Sequence, residues 1–144
     1  MLLGRFGDTS TAPYIEAVLS FPRLGQRGPV SFLIDSGADG SVLMPADGKK
    51  LGIDYSSLRN PTVSTGIGGL AQGFQELCVL TFSDNRYLYS YLIRELEISA
   101  STSTNLRFPS LLGRDILKRW RLVVDYSHGK VCCTPYSWDQ RITV

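Results

Sequence analysis

The sequence predicts an all-β, barrel-like domain with one short helix in its C-terminal half. Three observations carry this reading. Short runs rich in aromatic, leucine and β-branched residues recur at 14–19, 30–34, 74–82 and 87–98, and such residues fit a pleated, half-buried surface. Turn-forming clusters punctuate them at Pro22 to Pro29, Asn60-Pro61, Ser83-Asp84-Asn85 and Ser127-His128-Gly129. Only Arg114 to Trp120 reads as a convincing helix, with Asp115 near its N-terminus and Lys118 and Arg119 near its C-terminus, which complements the helix dipole.

The elements follow in order. Residues 1–12 are polar, small and poorly patterned, which suggests a loose N-terminal arm. Tyr14 to Leu19 and Val30 to Ile34 form a hairpin that delivers Asp35. Ser41-Val42-Leu43-Met44 is a short apolar strand, and Pro45 suits the first position of one helical turn through Lys50, with Gly48 opposing a longer helix. Thr62 to Thr65 is β-prone and leads to Gly66-Ile67-Gly68-Gly69. Phe74 to Phe82 is a strand, and Tyr87 to Ile98 is one long strand or two short ones. Tyr87, Tyr89 and Tyr91 alternate and therefore share a face, suited to core or interface packing. After the helix, Arg121 to Tyr126 and Lys130 to Thr134 make a hairpin. Residues 135–144 form a tail in which Trp138 and Ile142 are able to dock. One domain, 13–134, is expected between arm and tail, without repeats.

Composition narrows the function classes. The 144 residues suit one domain with a real core, and 43% hydrophobic with 19% charged residues is a globular balance. A net charge of +2 without a Lys/Arg cluster argues against a nucleic-acid partner. No apolar run approaches the roughly 18 residues of a membrane span, and the N-terminus lacks a signal-peptide core. Three cysteines cannot all pair within one chain, and adjacent Cys132 and Cys133 point to opposite strand faces. They read with Cys78 as reduced thiols of a cytoplasmic protein. The single histidine, His128, sits at a hairpin turn and suggests neither catalysis nor a metal site; no cofactor is expected.

The chemistry concentrates in Phe32-Leu33-Ile34-Asp35-Ser36-Gly37-Ala38-Asp39. An apolar strand running into an aspartate is costly unless the acid has partners or holds a proton. Ser36 supplies a hydroxyl, and Gly37 allows close approach of another backbone or a substrate. The glycine-rich Gly66 to Gly69 follows about thirty residues later, and Leu111-Leu112-Gly113-Arg114-Asp115 leads from a strand into the helix.

In this order the three elements, between roughly Tyr14 and Thr134, resemble the retropepsins, the single-domain aspartic proteases of retroviruses, retroelements and some cellular proteins. The resemblance implies a closed barrel-like acid-protease fold and an aspartic endopeptidase acting as a homodimer on a peptide or protein substrate. Asp35 matches the catalytic aspartate, Ser36 the hydroxyl residue that bonds across the dimer, and Gly37 the glycine whose backbone meets substrate. Ala38 and Asp39 continue the substrate-binding loop. Gly66, Ile67, Gly68 and Gly69 match the flap that closes over the peptide. Leu111, Leu112 and Gly113 match the apolar segment supporting the catalytic loop, and Arg114 the arginine that pairs with an acid, here Asp39. Because Arg114 follows an apolar run, that pair is expected to be partly buried. Leu70-Ala71-Gln72 after the flap glycines departs from the family pattern. So does the chain from Arg121 to Val144, which is longer than in the compact viral enzymes, so the dimer need not use interleaved termini.

Other readings compete. Gly66 to Ala71 fits a dinucleotide fingerprint, but that motif needs a strand before it and a helix after it, and Gly73 interrupts any helix. A retropepsin-like fold can also serve as a non-catalytic dimeric peptide-binding module, or be excised from a polyprotein. The intact Asp35-Ser36-Gly37 argues against the non-catalytic module, because a buried acid has little structural use.

Overall fold

A computed structural model of the chain describes residues 1–66 and 69–144. The strands are β1 (Leu2–Leu3), β2 (Arg5–Phe6), β3 (Pro13–Phe21), β4 (Gln26–Ile34), β5 (Val42–Leu43), β6 (Pro61–Gly66), β7 (Gly69–Ser83), β8 (Tyr87–Ser99), β9 (Leu111–Leu112), β10 (Trp120–Asp125), β11 (Lys130–Pro135) and β12 (Gln140–Thr143). Two short helices, α1 (Pro45–Lys50) and α2 (Arg114–Leu117), and a 3-10 turn at Tyr55–Ser57 complete the described elements.

Strand pairing closes a barrel. The order β8-β5-β9-β4-β3-β7 returns on itself because β7 also pairs with β8, giving a ring of six strands. Closure removes sheet edges within the ring, leaving few backbone groups without a ladder partner. β6 extends from β7 and β12 from β8, while β1, β11 and β10 form a separate three-stranded sheet. The alternating pattern places Ile15, Ala17, Leu19 and Phe21 of β3, Val30, Phe32 and Ile34 of β4, and Cys78, Leu80 and Phe82 of β7 in one core.

β8 is one strand, but its inward residues change parity from Tyr89 and Tyr91 to Leu96 and Ile98. The register explains this: Glu76 faces Leu96 whereas Cys78 faces Ile93, so β8 carries an extra residue. A bulge there keeps the apolar residues of both halves of β8 directed inward.

Several expectations are corrected. The segment 1–12, expected as a loose arm, contributes β1, which pairs with β11, and β2, which pairs with β3. Leu2 is 1% exposed, so apolar burial holds a segment whose composition looked unstructured. The helix expected over 114–120 is limited to Arg114–Leu117, and Trp120 already begins β10. The indole of Trp120 packs edge-on against Phe82 with centroids 4.8 Å apart, so the chain must turn into the core there. α1 runs from Pro45 to Lys50, the span expected for it. The β3–β4 turn is shorter than Pro22 to Pro29, because β4 starts at Gln26. Pro29 is tolerated within β4 because β9 flanks only its last residues, Leu33 and Ile34. The tail forms β12 against β8, with Trp138 packed on Tyr89 and Ile142 exposed.

The tyrosine stripe is core. Tyr91 is fully buried, accepts a hydrogen bond from Trp120 Nε1 at 2.8 Å and donates one to the Ser137 carbonyl at 2.8 Å. Burial pushes its phenol pKa up. Burial likewise pushes the Cys78 and Cys133 thiols up to about 12, and all three cysteines are free. Among the described residues no helix is long and apolar enough to cross a membrane.

Tyr91→Phe keeps the ring but leaves the buried Trp120 N–H and the Ser137 carbonyl without this partner. Urea unfolding is expected to register a loss of about 1–3 kcal/mol, with the β-sheet circular dichroism spectrum unchanged.

Candidate active site

β4 carries the chain to Asp35 with Phe32 and Ile34 pointing into the core. The end of the strand is held by parallel pairing with β9, Leu33 opposite Leu111 and Ile34 opposite Leu112. Leu33 N donates to the Ser110 carbonyl at 2.8 Å, and Asp35 N to the Leu112 carbonyl at 3.0 Å. Beyond Asp35 the chain leaves the sheet in a tight turn, with Ala38 N donating to the Asp35 carbonyl at 3.1 Å. Gly37 N donates to Asp35 Oδ1 at 3.0 Å, which orients the carboxylate. Among the described residues Asp35 Oδ2 receives no hydrogen bond, so one oxygen is available to water or substrate. Asp35 is half-buried, and Ser36 and Gly37 are exposed.

The loop is clamped from the other side by the start of α2. Arg114 N donates to the Ala38 carbonyl at 2.9 Å, and Arg114 NH1 to the Ser36 carbonyl at 2.8 Å. Gly113 makes this approach possible: a Cβ there would stand 2.6 Å from the Gly40 carbonyl carbon and oxygen, closer than real contacts allow. Leu112 and Gly113 are buried beneath the loop, with Leu111 at the edge.

Arg114 and Asp39 do form an ion pair. The expectation of a partly buried pair is corrected, because the Asp39 side chain is 97% exposed and that of Arg114 48%. Asp39 lies on the outer side of the turn, where water screens the pair, so its contribution to stability is small. The hydrogen bond from Arg114 to Ser36 is the contact that reaches the loop backbone.

Two residues of this scaffold were missed at the level of sequence. Ser41, 4% exposed, donates from N and Oγ to Asp115 Oδ2 and Oδ1 at 2.9 and 2.8 Å. Its Oγ also accepts from Gly113 N at 3.0 Å, and Asp115 Oδ1 accepts from Ile116 N at 2.9 Å. Asp115 was legible only as an acid at a helix start; its lock on Ser41 spans 74 residues of chain. The loop leaving Asp35 faces the root of the β6–β7 hairpin across a cavity of about 290 Å³ lined by Gly40, Ser41, Thr62, Gln75, Glu95, Glu97 and Asp115. Asp35 is not among its lining residues.

β6 and β7 pair antiparallel, with Gly66 opposite Gly69 and Thr65 opposite Leu70. A strand rather than a helix follows the glycine-rich segment, which removes the dinucleotide reading. Ile67 and Gly68, the expected flap tip, lie outside the described residues. His128 is remote from this site in sequence, 71% exposed and paired with Asp125.

Comparisons with known proteins agree with this geometry. A family model described as "Aspartyl protease" matches residues 22–79, which include Asp35 and the glycine-rich hairpin. The fold matches the crystal structure of a retropepsin-like aspartic protease from Rickettsia conorii, with a TM-score of 0.51 over 100% of this chain and 92% of that one at 15% identity. Its fold is retropepsin-like. The family match covers residues 22–79, and at 15% identity the structural match speaks for the fold alone. No curated protein matches.

Two substitutions separate the supports of the retropepsin-like loop. Gly113→Ala is expected to cost about 1–3 kcal/mol in chemical denaturation, because the added methyl must displace the Gly40 backbone. Arg114→Ala is expected to cost no more than about 1 kcal/mol in the same measurement, since its ion pair is solvent-screened.

Proposed function

We propose that this chain is an aspartic endopeptidase whose active site is completed by a second copy of itself. The observation that carries this reading is the state of Asp35: an oriented carboxylate with a free oxygen, beside exposed Ser36 and Gly37, and with no second acid offered by its own loop. Asp39 is engaged by Arg114, and both oxygens of Asp115 are used by Ser41. A single carboxylate is a poor catalyst for amide hydrolysis. Two brought within a few ångströms by a twofold axis cannot both ionise easily, so the pair holds one proton.

The division of labour follows. The ionised carboxyl removes a proton from a water molecule as the water oxygen attacks the scissile carbonyl carbon. The protonated carboxyl donates to the carbonyl oxygen as it gains charge. The tetrahedral intermediate collapses with cleavage of the C–N bond and protonation of the leaving amine. In this reading the Ser36 hydroxyl bonds across the twofold axis beneath the dyad. The Gly37 backbone, with Ala38 and Asp39 after it, lines the peptide path. Gly66, Ile67, Gly68 and Gly69 form the tip of the cover that closes over the substrate. Leu111, Leu112, Gly113 and Arg114 keep the loop in place from behind.

Asp35→Asn, nearly isosteric but unable to act as general base, is expected to abolish hydrolysis of a mixed peptide library assayed across acidic to neutral pH. Its thermal midpoint and dimer fraction should remain close to wild type. Hydrolysis that persists in a pure mutant preparation removes the aspartic-protease reading, whereas no hydrolysis by the wild-type chain leaves the non-catalytic peptide-binding module.

Activity is expected to fall more steeply than first order on dilution, because active sites scale with the square of chain concentration when dimer is the minor species. Excess Asp35→Asn chains should poison wild-type activity after subunit exchange. Linear activity down to concentrations where light scattering finds mainly monomer would refute the shared site.

A further inference from the structure

We propose that Arg23 is a positioning residue: through its fork on Glu76 it sets the angle at which the β6–β7 hairpin stands over the Asp35 loop. This rests on the reading of that hairpin as the substrate cover. Glu76 is 6% exposed and occupies an inward position of β7, in phase with Cys78, Leu80 and Phe82. Arg23, in the β3–β4 turn, donates to it from Nε at 3.0 and 3.1 Å and from NH2 at 2.5 Å, engaging both carboxylate oxygens. The same guanidinium donates to the Ser57 carbonyl at 3.1 Å, just before the chain enters β6. Asn60 and Gln75 cross-link the two strands at the same level, Gln75 N donating to the Asn60 carbonyl at 3.0 Å.

The location gives this pair a role beyond neutralising a buried acid. Glu76 stands where the β7–β8 register slips. On one side of that slip β7 belongs to the closed barrel, pairing with β3 at Val79 to Thr81. On the other side Gly73 to Glu76 still pair with β8, and from Phe74 back to Gly69 β7 pairs with β6, so that only residues 69–72 of β7 extend past β8. Bulges loosen a ladder and bend the strand, and a contact from outside the β7–β8 ladder at Glu76 fixes the direction in which the hairpin leaves it. A planar guanidinium forked onto a carboxylate has a defined direction, which a lysine point charge lacks. Arg23 supplies that direction from β3–β4, the same hairpin that ends in Asp35. The cover and the catalytic loop are thereby referenced to one element.

The test separates direction from stability. Arg23→Met strands the Glu76 charge and is expected to lower the thermal midpoint. The double variant Arg23→Met/Glu76→Met replaces the pair with apolar side chains of similar length and is expected to restore much of that midpoint. In the double variant, amide hydrogen exchange at residues 61–66 and 69–74 should accelerate by about fivefold or more relative to β3 and β4, because the hairpin has lost its reference. Peptide kcat should fall and KM rise together, lowering kcat/KM by about tenfold. Arg23→Lys, the milder variant should the others fold poorly, is expected to keep the midpoint near wild type while shifting exchange in the same direction. Unchanged hairpin exchange in a folded double or lysine variant overturns the proposal, as does unchanged kcat and KM well below the midpoint. If wild-type chain cuts no peptide, the protease reading fails, and the exchange experiment alone still decides the role of Arg23.

Discussion

The hydrogen bond from Asp35 N to the Leu112 carbonyl is the contact on which the site depends. It is the last rung of the parallel pairing between β4 and β9, and it holds the aspartate where the strand ends and the loop begins. Remove that rung and the turn from Ser36 to Asp39 keeps only its own local bonds and the clamp from Arg114. The apolar sequence of β9 follows from this position. Leu112 is fully buried behind the loop, and Gly113 is bare so that the backbone of Gly40 can lie against it. A side chain at either point would set the distance between loop and barrel, and hence the placement of the carboxylate.

Around this contact two buried polar networks are satisfied. Ser41 donates two hydrogen bonds to Asp115, and its Oγ accepts from Gly113 N. Ser110, 0% exposed, accepts from Met44 N at 2.9 Å and donates to Asp47 Oδ2 at 2.6 Å, which joins α1 to the entrance of β9. Each group left without its partner in so dry a setting would carry the full desolvation cost. The two networks therefore specify how the helices sit on the barrel more sharply than apolar packing does. The exposed Arg114–Asp39 pair is of another kind, and its position on the outer rim of the turn leaves it a surface contact in the single chain.

The single Asp35-Ser36-Gly37 of this chain underlies the proposal of a shared site. Half-buried Asp35 and exposed Ser36 and Gly37 form one ledge, while Asp39 pairs with Arg114 at the surface and Asp115 is held by Ser41. An enzyme that kept both catalytic carboxyls on one chain would need a second ledge facing the first. A chain of this length has used its strands to close one barrel.

The sequence by itself determined the class of fold and pointed to Asp35 as the centre of the candidate site. Alternation of apolar residues marks β3, β4, β7 and β8 without any tertiary knowledge, because a half-buried strand imposes a period of two. Asp35-Ser36-Gly37, the glycine-rich segment and Leu111-Leu112-Gly113-Arg114 are each local motifs, carried by residues within a few positions of each other, and their order along the chain is read directly. Glu76 was also readable in principle, as an acid in phase with Cys78, Leu80 and Phe82, yet its partner Arg23 stands 53 residues away. Only the tertiary structure decided which distant groups meet: Ser41 with Asp115, Ser110 with Asp47, Leu2 with the interior. It also decided that Arg114 and Asp39 meet at the surface, and that α2 stops where Trp120 turns into the core. The physical reason is the same in each case. Strand and turn signals arise from a residue and its neighbours, whereas burial and partnership arise from barrel closure, which brings together segments that no local pattern relates.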